Sequence, residues 1–298
     1  MTELFTLRQP RPFSPKQDFR YLQARGAQSV PFYTLLVFTQ IRPDSSIARA
    51  LLCCVLTLAI APGTSARRRS SATLPLASST QLIVVTTADW DAVDGKLQRF
   101  ERPSAQAKWR PIGASIPVVV GKKGTAWGIG LAGLPRHDSA DPIKREGDLK
   151  SPAGIFQLGT AFGFASEPSV QWRMPYLALT PSVECVDDSH SGSYNRIVDR
   201  SRVAPDWNSS EHMLSVGEYY RWGIEIEQNP DARPEAGSCV FLHIWGGDGG
   251  GTEGCTAMAK PHIESILEWI KPASRPLLVQ MPLAQYQQVE KALHLPTE

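Results

Sequence analysis

Basic residues are too evenly spread for a nucleic-acid groove. The chain carries 31 Lys and Arg against 29 Asp and Glu, a formal charge of +2 over 298 residues. Its one basic cluster, Arg67-Arg68-Arg69, lies in a processing region rather than on a candidate groove. Paired metal ligands are also missing. His243, Cys255 and His262 occur singly, without the C-x-x-C or H-x-x-x-H spacing of a zinc site, so no metal is expected. The run Gly246-Gly247-Asp248-Gly249-Gly250-Gly251 lacks the Gly-Lys-Ser/Thr ending of a phosphate cradle and reads as a rim loop. No apolar run reaches the roughly 20 residues of a membrane span. Internal repeats and coiled-coil heptads are absent as well.

The apolar run that exists is short. Ala50 to Ala61 follows Arg49 and precedes Pro62-Gly63-Thr64-Ser65-Ala66. Basic flank, apolar core and small residues, in that order, read as a secretory signal over 49–66, cleaved after Ala66. Residues 1–48 are expected to be an extension without a role in the fold, its start site in doubt. Residues 67–80 are rich in Ser, Ala and Arg and read as a linker. The mature protein is expected in the periplasm or cell envelope, as a monomer without a transmembrane span.

Cysteine is scarce, with five in all. Cys53 and Cys54 leave with the signal, so Cys185, Cys239 and Cys255 remain. In an oxidising compartment an odd count suggests one disulfide and one free thiol. The expected pair is Cys185 with Cys239, leaving Cys255 free. A Cys239–Cys255 bridge would contradict any chemistry placed on Cys255.

Strand signals dominate. Gln81–Thr87 is β-branched, and Lys96–Arg102 is a weaker candidate with Asp94-Gly95 as a hairpin turn before it. Further strands are expected at 116–121, 124–133, 151–158, 176–179, 194–198, 221–226, 238–245 and 277–281. Helices are few. Pro261–Ile270 has proline at its start and apolar residues at helical spacing, and Leu283–Leu293 is a second candidate. Many short strands and little helix argue for a mainly β protein, a sandwich or barrel with a few short helices.

Chemistry concentrates in one stretch. In Val240-Phe241-Leu242-His243-Ile244-Trp245, alternation puts His243 on the face of Phe241 and Trp245, opposite Leu242 and Ile244. Twelve residues later Cys255 follows Gly254 at a tight turn, with Thr256 starting a segment that leads to a helix. A thiolate is a strong nucleophile toward carbonyls, and an adjacent imidazole can take its proton. Backbone N–H groups at such a turn can hold an oxyanion and lower a thiol pKa. A core histidine and an inert buried cysteine are the plainer alternatives.

The segment from Gly237 to Met258 resembles the active-site motif of the L,D-transpeptidase, or YkuD-like, family, in the branch ending Gly-Cys-Thr-Ala-Met. Lys144–Asp148 with Ser151-Pro152-Ala153-Gly154-Ile155-Phe156, then Tyr194-Asn195-Arg196, then Tyr220-Arg221-Trp222-Gly223 agree with the same family. The resemblance covers roughly residues 81–282 as a catalytic domain, with 283–298 as a helical tail. It departs at Glu253, where His is common, at Ala257, where Asn or Arg is usual, and in a shorter His-to-Cys spacing. Glu253 is expected to present a carboxylate near the thiol and raise its pKa.

The resemblance implies a YkuD-like fold with Cys255 as nucleophile and His243 as general base. The Ile244 carbonyl would steady the imidazole. Gly254 and Cys255 N–H groups would hold the oxyanion. Arg221, Trp245 and His212 are weaker candidates for the cleft wall; Glu211-His212 either lines the cleft or faces solvent. The implied partner is the peptidoglycan stem peptide, in cell-wall organisation and cell shape, with no cofactor. Cys255 would attack the carbonyl of the third stem residue, and an amine or water would resolve the thioester. A carbapenem is expected to acylate Cys255. An L,D-carboxypeptidase and a non-catalytic wall-binding module remain alternatives.

Overall fold

The computed structural model describes residues 75–131, 134, 138–247 and 250–297. The expected signal, the extension before it, Cys53, Cys54, Asp248 and most of the linker lie outside these residues. Helix α1 (Pro75–Ser78) leads into β1 (Gln81–Thr87), β2 (Asp94–Glu101), β3 (Arg110–Val119), β4 (Thr125–Trp127) and β5 (Ser151–Gly163). Strands β6 (Tyr176–Ala178), β7 (Val183–Val186), β8 (Ile197–Asp199) and β9 (Ser210–His212) follow. After 3-10 turns over Met213–Tyr220 come β10 (Trp222–Ile226), β11 (Phe241–Ile244), β12 (Thr256–Met258), α2 (Lys260–Trp269), β13 (Leu277–Pro282) and α3 (Leu283–Val289).

The protein is mainly β with a few short helices, as the sequence indicates. The path β10-β11-β12-β3-β2-β1-β13-β5 returns to β10, so the main sheet closes on itself. Closure removes the exposed edges that make open sheets prone to mispairing. Every residue of β1 is buried. Its odd and even positions feed different cores: Ile83 and Val85 join one cluster, Leu82 and Val84 another. A strand buried on both faces has to read as a continuous apolar run, which is why β1 is legible in sequence. Helix α2 lays Ile263, Ile266 and Leu267 on the first cluster, the i, i+3, i+4 stripe of an amphipathic helix.

Local expectations change at several places. Asp94-Gly95 belongs to β2 rather than to a turn. The reversal before it is built by Asp89, whose Oδ1 accepts from the N–H groups of Asp91 (2.9 Å) and Ala92 (2.8 Å). The C-terminal helix ends at Val289 instead of Leu293. There the chain turns back, the Tyr286 hydroxyl donates to the Pro296 carbonyl at 2.6 Å, and Leu293 and Leu295 pack into the second cluster. Thr256 opens the short strand β12, which leads into α2 at Lys260, as expected.

A smaller sheet, ordered β8-β7-β9, holds the wall of the cleft described below. Cys185 on β7 forms a disulfide with Cys239, just before β11, across 54 residues of chain. Cys255 is the free cysteine among the described residues. The link ties the small sheet to the main one and restricts the unfolded chain. Replacing both Cys185 and Cys239 with Ser is therefore expected to lower stability by about 2–5 kcal/mol. Urea denaturation of the oxidised protein and the double variant checks this; coincident curves would contradict it.

Candidate active site

The site starts from one pairing. Strands β11 and β12 run parallel, with Leu242 opposite Thr256, His243 opposite Ala257 and Ile244 opposite Met258. The expected alternation on β11 is present: Leu242 and Ile244 enter the inner core, while Phe241 packs with Cys255 and Tyr220 on the other side. His243 lies on that second face, its ring edge-to-face with Tyr220 at 5.2 Å between centroids. His243, Trp245, Gly254 and Cys255 all line one cleft of about 710 Å³. A larger hollow of about 960 Å³, lined by Phe100, Arg102, Trp109 and the C-terminal residues, includes none of them.

Cys255 is held from several directions. Gly254 has φ of +151°, a backbone region that a Cβ makes strained. The Cys255 carbonyl accepts from Ser151 Oγ at 2.7 Å and from Thr252 Oγ1 at 2.5 Å. Ser151 Oγ in turn accepts the N–H of Gly121 at 2.9 Å. Thr252 Oγ1 accepts the N–H of Gly254 at 3.2 Å. The Cys255 N–H has no protein acceptor among the described residues. Thr256 Oγ1 donates to Gln280 on β13 at 2.7 Å, which fixes β12 from below.

The other motifs singled out in the sequence converge on the segment before β11. Asn195 Oδ1 accepts the Cys239 N–H at 3.0 Å, and its amide donates to the Gln228 and Asn229 carbonyls. Glu146 accepts from the Tyr194 hydroxyl and from Ser238 Oγ. Lys144, only 6% exposed, pairs with Asp148 at 2.5 Å and lines the cleft. These side chains position the backbone; the sequence motifs flag them, but nothing in their spacing says what they hold.

Burial sets the protonation states. It pushes the His243 imidazole down to about 4, against the opposing hydrogen bond to the Ile244 carbonyl. That bond, Nδ1 to Ile244 O at 2.8 Å, places the proton on Nδ1 and leaves Nε2 as the basic nitrogen. Burial also pushes the Cys255 thiol up to about 12, and the Glu211 carboxylate pushes the same way. The Phe241 N–H at 3.3 Å, Tyr220 and Lys144 oppose the rise. At rest the pair is therefore a neutral thiol beside a neutral imidazole. The turn does not lower the thiol pKa, because desolvation outweighs its donors. The thiol's hydrogen bonds run to the Phe241 N–H and the Cys239 carbonyl, not to His243.

The remaining expected residues separate. Trp245 lines the cleft and its indole N–H has no partner among the described residues. His212 lies outside the lining and pairs with Glu184 at 3.0 Å. Arg221 also lies outside it, paired with Glu218 at 2.6 Å and stacked on Phe164. Glu253 is exposed and pairs with Lys122 at 3.1 Å. The carboxylate acting on the thiol is Glu211, which sequence reading left undecided between cleft and solvent. Its strand, Ser-Glu-His, carries no apolar alternation that could have placed it.

His243 on β11 and Cys255, just before the parallel neighbour β12, line one cleft of the closed β-sheet. Residues 100–279 match the L,D-transpeptidase catalytic domain family YkuD, and the chain belongs to that family. No curated protein matches. Among solved structures, the helical cell shape determining protein Pgp2 from Campylobacter jejuni is similar at 14% identity, with a TM-score of 0.33. That alignment covers 69% of this chain and 48% of Pgp2, so the chain spans about half of that protein. No helix among the described residues is long and apolar enough to cross a membrane.

Two outcomes follow from this packing. Ser151→Ala strands the buried Gly121 N–H and frees the Cys255 carbonyl, and is expected to cost about 1–3 kcal/mol in a denaturant titration. His243 has a lowered folded pKa, so the unfolded chain takes up its proton first. Its contribution is a loss of stability as pH falls from 6.5 to about 4. Thermal melts across that range should show a shallower acid-side loss in His243→Gln. An unchanged slope would mean that the imidazole is not buried in its neutral form.

Proposed function

We propose that the chain is an exported cysteine acyl-transferase acting on peptidoglycan stem peptides. The observation that carries the reading is the free thiol of Cys255 beside His243, whose Nδ1 is committed to Ile244 O. As the sulfur bonds to the carbonyl carbon of the third stem residue, its proton passes to His243 Nε2. The Cys255 N–H would receive the developing oxyanion, while the Gly254 N–H, expected to share it, donates to Thr252 Oγ1. The C–N bond to the terminal D-amino acid then breaks, and the departing amine takes the proton from the imidazolium. An amine of a second stem attacks the thioester, gives up its proton to His243, and releases the thiol with a new peptide bond. With water in place of that amine the product is a free tripeptide and the enzyme is an L,D-carboxypeptidase. Because the resting thiol is neutral, proton loss accompanies attack rather than preceding it.

The thiol held up at about 12 also supports a second reading, a wall-binding module without turnover. Incubation of the purified protein with disaccharide-tetrapeptide muropeptides separates these. Loss of D-alanine with a cross-linked dimer supports transpeptidation, and loss to tripeptide alone supports hydrolysis. Cys255→Ala should abolish either reaction, and His243→Ala should lower the rate by about 10²–10⁴-fold. Undiminished activity in Cys255→Ala would refute the mechanism. Export is tested separately by N-terminal sequencing of the mature protein; retention of Phe13 or Phe19 would sink the signal assignment.

A further inference from the structure

One carboxyl in the cleft has no part in the mechanism above. Glu211 sits on β9, where antiparallel pairing sets it opposite Cys185. Cys185 is bonded to Cys239, and the Cys239 carbonyl lies 3.7 Å from the Cys255 sulfur. Glu211 is thus held at the cleft wall by a strand that is covalently tied to the neighbourhood of the thiol. Its Oε1 is 2.9 Å from the Tyr220 hydroxyl. Tyr220 is buried against His243 and packs in one cluster with Cys255, and it is among the groups that act on the sulfur. A phenol has one proton, so it cannot donate to a carboxylate and to a thiolate at once.

We propose that Glu211 is a positioning residue that decides, through Tyr220, whether the Cys255 sulfur has a hydrogen-bond donor when it becomes a thiolate. With Glu211 protonated, the carboxyl O–H donates to Tyr220 Oη and the phenol proton turns to the sulfur. With Glu211 ionised, the carboxylate takes the phenol proton and adds a negative charge facing the sulfur. The thiol proton goes to His243 Nε2 in both states, so this inference rests on the nucleophile reading under Proposed function. Burial raises the Glu211 carboxyl to about 7, Asp187 and Glu253 add to the rise, and the Tyr220 hydrogen bond opposes it. Lys144 is the cation acting on the sulfur from the far side of the pair. Both states of Glu211 are then populated near neutral pH.

The test is iodoacetamide alkylation of the full-length protein without substrate, from pH 5.5 to 9.5, read by mass spectrometry on the Cys255 peptide. Glu211→Gln keeps a donor toward Tyr220 and removes the charge. It should be alkylated about tenfold faster than wild type at pH 8, the effect of one pKa unit on the thiolate fraction. Adding Tyr220→Phe should remove most of that gain. Superimposable profiles for Glu211→Gln and wild type would overturn the proposal, as would a full gain in the double variant. Should Glu211→Gln fail to fold by circular dichroism, Tyr220→Phe alone decides: it should slow alkylation at pH 6 and leave it unchanged at pH 8.5. Equal effects at both pH values would overturn the coupling. Failure of the nucleophile reading would show instead as muropeptide turnover by Cys255→Ala.

Discussion

The parallel pairing of β11 with β12 is the constraint on which the site depends. Parallel neighbours cannot be joined by a tight hairpin; the chain must leave one strand's end and return to the start of the next. Here that return is the glycine-rich loop and the Thr252-to-Cys255 turn. Its result is that Cys255, just before β12, comes level with Phe241 at the start of β11, two residues from His243 along that strand, and both line the same cleft. Much else in the structure defends it: Ser151 and Thr252 hold the Cys255 carbonyl, Gln280 holds Thr256, and Asn195 holds Cys239. Thr252 is three residues from Cys255, whereas Ser151, Asn195 and Gln280 reach across 104, 44 and 24 residues of chain.

The same enclosure decides the chemistry. A cysteine made reactive by a standing ion pair would need a low thiol pKa and a charged imidazole. This site does the reverse, pushing both groups toward neutrality by desolvation. Such a thiol resists adventitious alkylation and oxidation at rest. Its reactivity has to be drawn out by a carbonyl carbon within bonding range and by a base already in the right tautomer. The Ile244 carbonyl supplies that tautomer at no cost in charge. In the proposed reaction, accepting the proton on Nε2 would create a buried imidazolium only transiently.

Legibility in the sequence followed the physics of each element. Strand β1 reads over its full length because both of its faces are buried, and α2 reads because its apolar stripe is continuous. His243 and Cys255 stand out because a histidine in an apolar strand and a cysteine after glycine are rare combinations, and the expected disulfide partners are joined. Strands β7, β9 and β12 were not anticipated. They are three or four residues long, and β9 is wholly polar, so periodicity has nothing to act on. Glu211 stayed undecided between cleft and solvent for that reason, and Glu253 drew attention only because it adjoins Gly254 in the chain. Adjacency in sequence put it near the thiol, but its side chain turns to Lys122 and solvent. The roles of Ser151 and Asn195 were equally hidden, because what they hold lies 104 and 44 residues away.

The central claim is that Cys255 carries the acyl group. Acid quenching of the protein during reaction with a tetrapeptide stem, followed by mass spectrometry of the Cys255 peptide, tests it directly. The account predicts a mass increase equal to the acyl-tripeptide on that peptide, removed by hydroxylamine as a thioester is. Turnover without any acyl adduct on Cys255, or an adduct on another residue, would contradict it.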